Sequence, residues 1–396
     1  MKKIKYLPTP SGPYQIGRTS MNFIDSSRIG VLSKRLHEKR NIPILIWYPS
    51  DIKTSEQPHL PVISEKELKI YQKFGIYRFL PSYLSKIESN SFQNIPLSMK
   101  NEKFRVIFFN HGYEGYLAQN TIQMENLASN GYIVVSVGHP YEAGVVSYPD
   151  GTQIKFDKKI SIYNQSKEIS WRKYKNLLKT LDEEDILDEM KKITYKMHPN
   201  KVSHEHLNIW ADDTIFIADK MQELNNGTIK SIFEGKLDLS NGFGVFGHSY
   251  GGATAAQVCF QDNRFVCGIN LDGEPLGEIV SNNNHLSTPF MYLFSWRFGN
   301  SCKYFHLSNS DDSYLIKIKG ARHYDFIDIS YLLSSGIYKI LPMFGNINRT
   351  KMVEILNYYI DSFFKKYLLG IENKLLLENP FREVEVSYRL TRRSAG

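Results

Sequence analysis

The stretch that decides the fold reads Phe243-Gly244-Val245-Phe246-Gly247-His248-Ser249-Tyr250-Gly251-Gly252-Ala253. Its centre is a G-x-S-x-G pentapeptide. The apolar run before the pentapeptide predicts a strand, and the small residues after it predict the start of a helix. In this context the motif puts its serine on a sharp, strained turn, with the hydroxyl clear of the sheet. We therefore predict that Ser249 is a nucleophile.

Short β-branched and aromatic runs recur on both sides of this motif and predict buried strands. They lie at residues 42–48, 105–110, 132–137, 243–247, 265–271, 289–294 and 314–319. Helical patterns stand between several of them or after the last, at residues 119–130, 210–224, 251–261 and 351–369. Alternating strands and helices indicate an α/β fold, with a mostly parallel central sheet and helices on both faces.

Two charged segments, at about 64–103 and 158–208, do not fit this alternation. We expect them to be insertions that interrupt the strand series and form a lid or cap, and a surface helix is the alternative for the second. The chain shows no internal repeat and no low-complexity linker. Residues 1–396 are therefore interpreted as a single domain.

Composition excludes several classes of protein. Hydrophobic residues make up 42% of the 396 residues, which excludes wholesale disorder. A net charge of +8 is a mild excess that does not predict nucleic-acid binding, although it allows peripheral contact with a lipid surface. Three cysteines predict neither a disulfide framework nor structural zinc.

With no signal peptide or membrane span as the sequence stands, we expect a cytoplasmic protein unless a leader has been removed. The oligomeric state is not predicted.

A serine hydroxyl needs a base and an orienting acid before it can attack. In α/β-hydrolases the chain order is serine, acid, histidine. Asp272 stands at the carboxyl end of the strand at 265–271, where catalytic groups gather in open α/β sheets. Asp262, the alternative acid, lies in the preceding helix or loop and is interpreted as a surface residue.

The base is chosen among 11 histidines. His323 follows the last predicted parallel strand through a three-residue loop, and no histidine comes after it. His285 lies in an Asn-rich loop, and no strand leads into His306. Chain order and strand-end position therefore favour His323.

The developing oxyanion requires backbone donors. The N–H of Tyr250 follows the nucleophile, and the N–H of Tyr113 lies in the His-Gly turn after the strand at 105–110, so these two are the predicted oxyanion donors. His111 is expected to hold this turn. Further candidates for the substrate pocket share a position beside these loops: His111, Tyr116 and His248.

Competing motifs are weaker. Residues 242–247 fit a dinucleotide G-x-G-x-x-G, but strand residues separate the glycines, which should follow the strand. His204-Glu205-His206 lacks further ligands for a metal. We expect neither a cofactor nor a metal.

Several stretches together resemble the platelet-activating-factor acetylhydrolase family, of plasma type and with bacterial relatives, within the α/β-hydrolase superfamily. They are Pro10-Ser11-Gly12-Pro13-Tyr14, Ile44-Leu45-Ile46-Trp47-Tyr48-Pro49, Asn110-His111-Gly112, Leu127-Ala128-Ser129-Asn130-Gly131-Tyr132, the motif at 247–255, Leu271-Asp272-Gly273 and Lys319-Gly320-Ala321-Arg322-His323. The resemblance spans about residues 7–370 except the two insertions. It implies triad roles for Ser249, Asp272 and His323, oxyanion donors Tyr113 and Tyr250, and calcium-independent hydrolysis of short acyl esters.

We therefore predict a serine ester hydrolase that cleaves short-chain acyl esters through an acyl-enzyme, with sn-2 short acyl groups of phospholipids as one substrate. A general carboxylesterase or polyester hydrolase is the alternative within this class. From another class, the alternative is a non-catalytic binding protein on a hydrolase fold. The expected partner is a small-molecule or lipid ester.

Overall fold

The structure is a computed structural model that describes residues 6–33, 37–52, 58–73, 80–162, 201–280, 284–296, 302–372 and 376–391. The strands are β1 (Gln15–Ile29), β2 (Lys39–Ser50), β3 (His59–Pro61), β4 (Glu88–Gln93), β5 (Phe104–Asn110), β6 (Tyr132–Val137), β7 (Val145–Ser147), β8 (Gln153–Lys155), β9 (Leu237–Asp238), β10 (Phe243–His248), β11 (Phe265–Leu271), β12 (Phe290–Ser295), β13 (Ser313–Ile318) and β14 (Val384–Arg389). The helices are α1 (Glu65–Tyr71), α2 (Thr121–Ser129), α3 (Lys201–Asn225), α4 (Tyr250–Gln261), α5 (Lys303–Ser308), α6 (Asp328–Leu332), α7 (Ser335–Ile340) and α8 (Arg349–Leu369). Short 3-10 helices lie at Ser82–Lys86, Glu278–Val280 and His323–Phe326.

Twelve strands form one sheet, ordered β14, β13, β12, β11, β10, β5, β6, β2, β1, β4, β3, with β9 paired to β5. Strands β6, β5, β10, β11, β12 and β13 run parallel to their neighbours within this group. Strands β2 and β14 flank the parallel group in antiparallel orientation. The carboxyl ends of the parallel strands therefore meet at one edge, where an α/β enzyme carries its site.

Helices cover both faces of this sheet and bury its side chains. On one face, residues of α3 and α4 pack on β5, β6 and β10. On the other face, α2 and α8 pack on the opposite side of the same strands. Because both faces are covered, the central strands are apolar on both sides, and every residue of β6 is buried. The predicted α/β-hydrolase fold is confirmed.

The prediction that residues 64–103 only interrupt the strand series is wrong for residues 88–93. These residues form β4, which pairs in parallel with β1. The strand escaped prediction because its buried positions include Ser89 and Ser91, whose hydroxyls lie 2.8 Å apart and bond to each other. Helix α1 and the 3-10 helix at Ser82–Lys86 pack over Leu332, so this part of the segment covers the sheet edge that holds the site. A lid function for this part stays a prediction.

Most of the second predicted insertion, residues 163–200, lies outside the described residues. Helix α3 begins at Lys201 and so extends the helix predicted at 210–224 toward the amino terminus. Among the described helices, none has both the length and the apolar character that a membrane crossing requires.

Candidate active site

Ser249 lies on the turn between β10 and α4. Its backbone angles, φ 56° and ψ −122°, are unusual for a residue with a side chain. The turn depends on Gly251, since a Cβ there would lie 2.1 Å from the carbonyl oxygen of Asn110. Close approach of β5 to the turn therefore excludes a side chain at this position. The strained turn matches the local geometry that the G-x-S-x-G motif predicts.

Three side chains from the segments that follow β10, β11 and β13 form one hydrogen-bonded line. Nε2 of His323 lies 2.9 Å from Oγ of Ser249, within hydrogen-bond distance of that hydroxyl. Nδ1 of His323 lies 2.8 Å from Oδ2 of Asp272 and donates to it. Ser249 is partly exposed, whereas Asp272 is buried. This arrangement can remove a proton from the hydroxyl and stabilise the imidazolium that results.

The carboxylate of Asp272 is also fixed from the neighbouring strand. Its Oδ1 accepts the backbone N–H of Ser295, at the end of β12, over 2.7 Å. Asp272 itself has φ 53°, a second strained position in the site. The sequence did not single out Ser295, because a backbone donor leaves no trace in residue type. The predicted end of a strand near residue 294 was the available signal.

The loop after β5 lies directly beside the nucleophile. A Cβ added to Gly112 would lie 3.4 Å from Cβ of Ser249 and 3.0 Å from Nδ1 of His248. Tyr113 follows this glycine, and Tyr250 is the first residue of α4. The N-terminal end of a helix carries a partial positive charge, which stabilises an anion. The two predicted oxyanion donors therefore belong to segments that adjoin Ser249.

An aromatic cluster forms one side of the site. The Tyr113 and Tyr250 rings meet edge to face, with centroids 5.4 Å apart, and Trp210 of α3 lies 5.0 Å from Tyr250. The Tyr250 hydroxyl donates to the carbonyl oxygen of Ser203 over 2.7 Å. The Tyr113 hydroxyl accepts the N–H of Ile162 over 3.2 Å. Rings anchored at both ends make a rigid wall.

The three residues predicted to line the substrate pocket lie in different surroundings. His111 is fully buried, and its Nδ1 lies 2.8 Å from the carbonyl oxygen of Gly112, so the structure gives it the expected loop-holding position, and its role in the pocket stays a prediction. His248 is 3% exposed, and both of its ring nitrogens form hydrogen bonds to protein groups. Tyr116 packs on Tyr71, with centroids 5.5 Å apart, and lines an apolar cavity built from α1 and residues 327–332. It is not part of the cluster of Tyr113 and Tyr250.

A buried polar network supports the end of β5. Nε2 of His139 lies 3.0 Å from Oδ1 of Asn110, and its Nδ1 lies 2.9 Å from Oδ2 of Asp213. Arg40 donates two hydrogen bonds to Asp213, at 2.6 and 3.0 Å. Burial alone would raise the pKa of Asp213, but Arg40 and His139 outweigh it and hold the pKa below its usual range. No pattern in the sequence indicates this network.

The His204-Glu205-His206 pattern does not form a metal centre. Nδ1 of His206 lies 2.6 Å from Oε1 of the buried Glu142, and His204 accepts the N–H of Gly277. Within the described part of the chain, no three His, Cys, Asp or Glu side chains cluster in a way that could hold a metal ion.

The profile of the family "Platelet-activating factor acetylhydrolase, isoform II" matches residues 1–375. The chain belongs to this family. Its membership confirms the predicted resemblance and the predicted class, a serine ester hydrolase, over a non-catalytic binding protein.

Similar proteins include further members of this acetylhydrolase group. "Platelet-activating factor acetylhydrolase" of Gallus gallus is 25% identical over 387 residues, which cover 91% of this chain and 83% of that protein. The Cavia porcellus protein of the same name is 24% identical and covers 91% and 78%. "Probable 1-alkyl-2-acetylglycerophosphocholine esterase" of Arthroderma benhamiae is 21% identical and covers 93% and 90%. A ferulic acid esterase structure from Streptomyces cinnamoneus has a TM-score of 0.74 at 20% identity, with coverage of 97% and 99%, and shares the fold.

Proposed function

We propose that this acetylhydrolase-family protein cleaves short acyl esters, including the sn-2 short acyl group of phospholipids, through an acyl-enzyme on Ser249. The observation that carries the proposal is the unbroken line from Asp272 through His323 to Ser249, with heavy-atom distances of 2.8 and 2.9 Å. A nucleophile, a base and an orienting acid in this geometry are what acyl transfer requires.

The proposed reaction has two halves. His323 takes the proton of Ser249 as Oγ attacks the ester carbonyl, and Asp272 stabilises the imidazolium. The backbone N–H groups of Tyr113 and Tyr250 donate to the oxyanion. His323 then protonates the leaving alcohol, and the carbon–oxygen bond to it breaks. In the second half, His323 deprotonates a water molecule, which attacks the acyl carbon. The bond between this carbon and Oγ of Ser249 then breaks, His323 returns the proton to Oγ, and the carboxylic acid leaves.

The acyl length and the lipid substrate rest on two supports. Tyr113, Tyr250 and Trp210 form a wall of anchored rings beside the loop that adjoins Ser249, which leaves limited space for a long acyl chain. The relatives named above include acetylhydrolases and an acetylglycerophosphocholine esterase, whose names specify a short acyl group. Overpacking a rigid pocket costs about 1–3 kcal/mol, which exceeds the ~0.8 kcal/mol gained per buried methylene.

We also propose that the site edge contacts lipid surfaces. Trp296 follows Ser295 directly and is 46% exposed. The ammonium groups of Lys317 and Lys319 lie 5.2 and 5.0 Å from its ring centroid. An exposed tryptophan with cations beside it suits the interface of an anionic lipid layer. This contact would hold the carboxyl ends of β12 and β13 toward the lipid.

A hydrolysis panel with the wild-type protein and Ser249→Ala tests the proposal. The panel contains p-nitrophenyl esters from acetate to palmitate, an sn-2 acetyl phospholipid and a polyester film. We expect turnover of acetate and butyrate esters and of the phospholipid, and loss of all turnover in Ser249→Ala with its melting temperature retained. Turnover of the polyester or of bulky soluble esters without the phospholipid would favour a general carboxylesterase or polyester hydrolase. Wild-type turnover in Ser249→Ala would overturn the nucleophile assignment.

A further inference from the structure

A buried hydrogen-bond chain joins the two loops on either side of Ser249. Oε1 of Gln119 accepts the backbone N–H of Gly112 over 3.2 Å. Nε2 of Gln119 lies 2.9 Å from Nδ1 of His248. Nε2 of His248 lies 3.1 Å from the carbonyl oxygen of His323. The chain therefore runs from the predicted oxyanion loop to the backbone of the predicted base.

Only one arrangement of protons satisfies this chain. The carbonyl oxygen of His323 can only accept, so Nε2 of His248 carries the hydrogen. Nδ1 of His248 is then bare in the neutral ring and accepts from the amide nitrogen of Gln119. This leaves Oε1 of Gln119 for Gly112, whose N–H can only donate. Each donor in the chain then faces an acceptor, so all three hydrogen bonds can form at the same time.

Burial keeps this arrangement in place. Gln119 is 4% exposed and His248 is 3% exposed, so water does not compete for their polar atoms. Burial lowers the pKa of His248 well below its usual range, and His323 lowers it further, with ring centroids 4.6 Å apart. A neutral His248 beside the base adds no positive charge that would oppose the imidazolium of His323.

We infer that Gln119 and His248 are positioning residues that hold the Gly112 loop and His323 in a fixed relation across Ser249; this inference rests on the proposed function. Neither side chain has a polar atom left to bind substrate. Each acts through the backbone of another residue, Gln119 on Gly112 and His248 on His323. Misplacement of a catalytic group by about 1 Å can lower the rate roughly 100-fold. A link that fixes both loops around Ser249 would therefore support catalysis.

The test measures kcat and KM for p-nitrophenyl acetate, with kcat divided by the concentration of active sites titrated with a fluorophosphonate. The variants are His248→Phe, which removes both bonds, and Gln119→Met, which keeps the size of the side chain. We expect each to lower kcat by about 10- to 100-fold and to leave KM within about 2-fold. The double variant should lose no more than the larger single loss, since both break one chain. Gln123→Met, at another buried glutamine in the first turn of α2, is the matched control and should keep kcat.

A conservative variant separates positioning from packing. His248→Gln retains a donor for the carbonyl of His323, so it should recover most of the kcat that His248→Phe loses. If His248→Phe raises KM at constant kcat, the residue contacts substrate and the inference is overturned. Losses that multiply in the double variant, or equal losses in His248→Gln and His248→Phe, would also overturn it. If the wild-type protein shows no Ser249-dependent hydrolysis, the proposed function itself fails, which is a different result from intact hydrolysis that ignores His248.

Discussion

Oδ1 of Asp272 accepts the backbone N–H of Ser295 over 2.7 Å, so β12 fixes the carboxylate while its other oxygen meets His323. Asp272 directly follows β11, and Ser295 is the last residue of β12, which runs parallel to β11. A backbone donor of the neighbouring strand therefore orients the acid. Because each carboxylate oxygen has its own partner, replacing the carboxylate of Asp272 with an amide should have a defined effect on His323.

Asp272→Asn should retain the fold and lose most of the activity. The amide oxygen can still accept from Ser295, which turns the amide nitrogen toward Nδ1 of His323 and forces the proton of the imidazole onto Nε2. His323 then faces Ser249 with a donor, and kcat should fall by about 10⁴-fold with little change in melting temperature. Steady-state kinetics and thermal unfolding of the purified variant measure both quantities.

Asp262→Asn is the control for this prediction. Asp262 pairs with Arg264 at 2.6 Å, and the pair is partly exposed. We expect its kcat to stay within about 2-fold of the wild-type value. A large loss in Asp262→Asn with activity retained in Asp272→Asn would move the acid away from the end of β11.

Acyl length should respond to the aromatic wall. We expect kcat/KM for p-nitrophenyl esters to peak between acetate and butyrate and to fall by octanoate, because the rings of Tyr113 and Tyr250 limit the space. Tyr113→Ala keeps the backbone N–H and should move the peak toward longer acyl groups. Tyr116→Leu, in the neighbouring cluster, should leave the peak in place.

Hydrolysis of these esters should also persist in EDTA. A profile that rises from octanoate to palmitate, or a requirement for calcium, would contradict this account.

Buried neutral histidines should make stability depend on pH. Burial lowers the pKa of His111 to about 3, and it also lowers the pKa of His248 well below its usual range. The unfolded chain takes up protons below about pH 6.5, whereas these folded rings do not, so the free energy of unfolding falls as the pH falls. Each ring should remove up to about 1.3 kcal/mol between pH 7.5 and 5.5.

Urea unfolding at both pH values measures this effect. His111→Gln should reduce the pH-dependent change by about one histidine's share, whatever it does to stability at pH 7.5. An unaltered pH dependence in His111→Gln would show that His111 does not remain neutral.

The buried polar network at the end of β5 should contribute to stability. Arg40 and Asp213 are both buried and lie 2.6 Å apart. Arg40→Met leaves the Asp213 carboxylate with fewer partners, so it should lower the free energy of unfolding by about 3 kcal/mol or more. Lys69→Met, which removes an exposed pair with Glu65, should change the free energy of unfolding far less. Similar costs for both variants in urea titrations would contradict this assignment.

The sequence predicts the central sheet well because its parallel strands are apolar on both faces. The bounds of β6 and β11 agree with the predicted runs at 132–137 and 265–271. The strands that were not predicted are β1, β3, β4, β7, β8, β9 and β14. β14 lies at one end of the sheet with one buried residue, and β4 has buried serines, so neither shows an apolar run.

The sequence likewise predicts some parts of the candidate site and misses others. Residue type and strand-end position single out Ser249, Asp272 and His323, which the structure brings within hydrogen-bond distance. Their catalytic roles stay predictions until they are measured. Ser295 donates its own backbone N–H to Asp272, and Gln119 accepts the backbone N–H of Gly112. Such pairings depend on tertiary contacts that residue patterns do not encode.

The most direct test is mass spectrometry of the protein after reaction with a fluorophosphonate, with peptide mapping and hydrolysis followed on the same sample. We expect one adduct per chain, located on Ser249, and loss of p-nitrophenyl acetate hydrolysis in proportion to the labelled fraction. Ser249→Ala should remain unlabelled. No adduct on an active wild-type sample, or an adduct on another residue that accompanies the loss of hydrolysis, would contradict the assignment of Ser249 as the nucleophile.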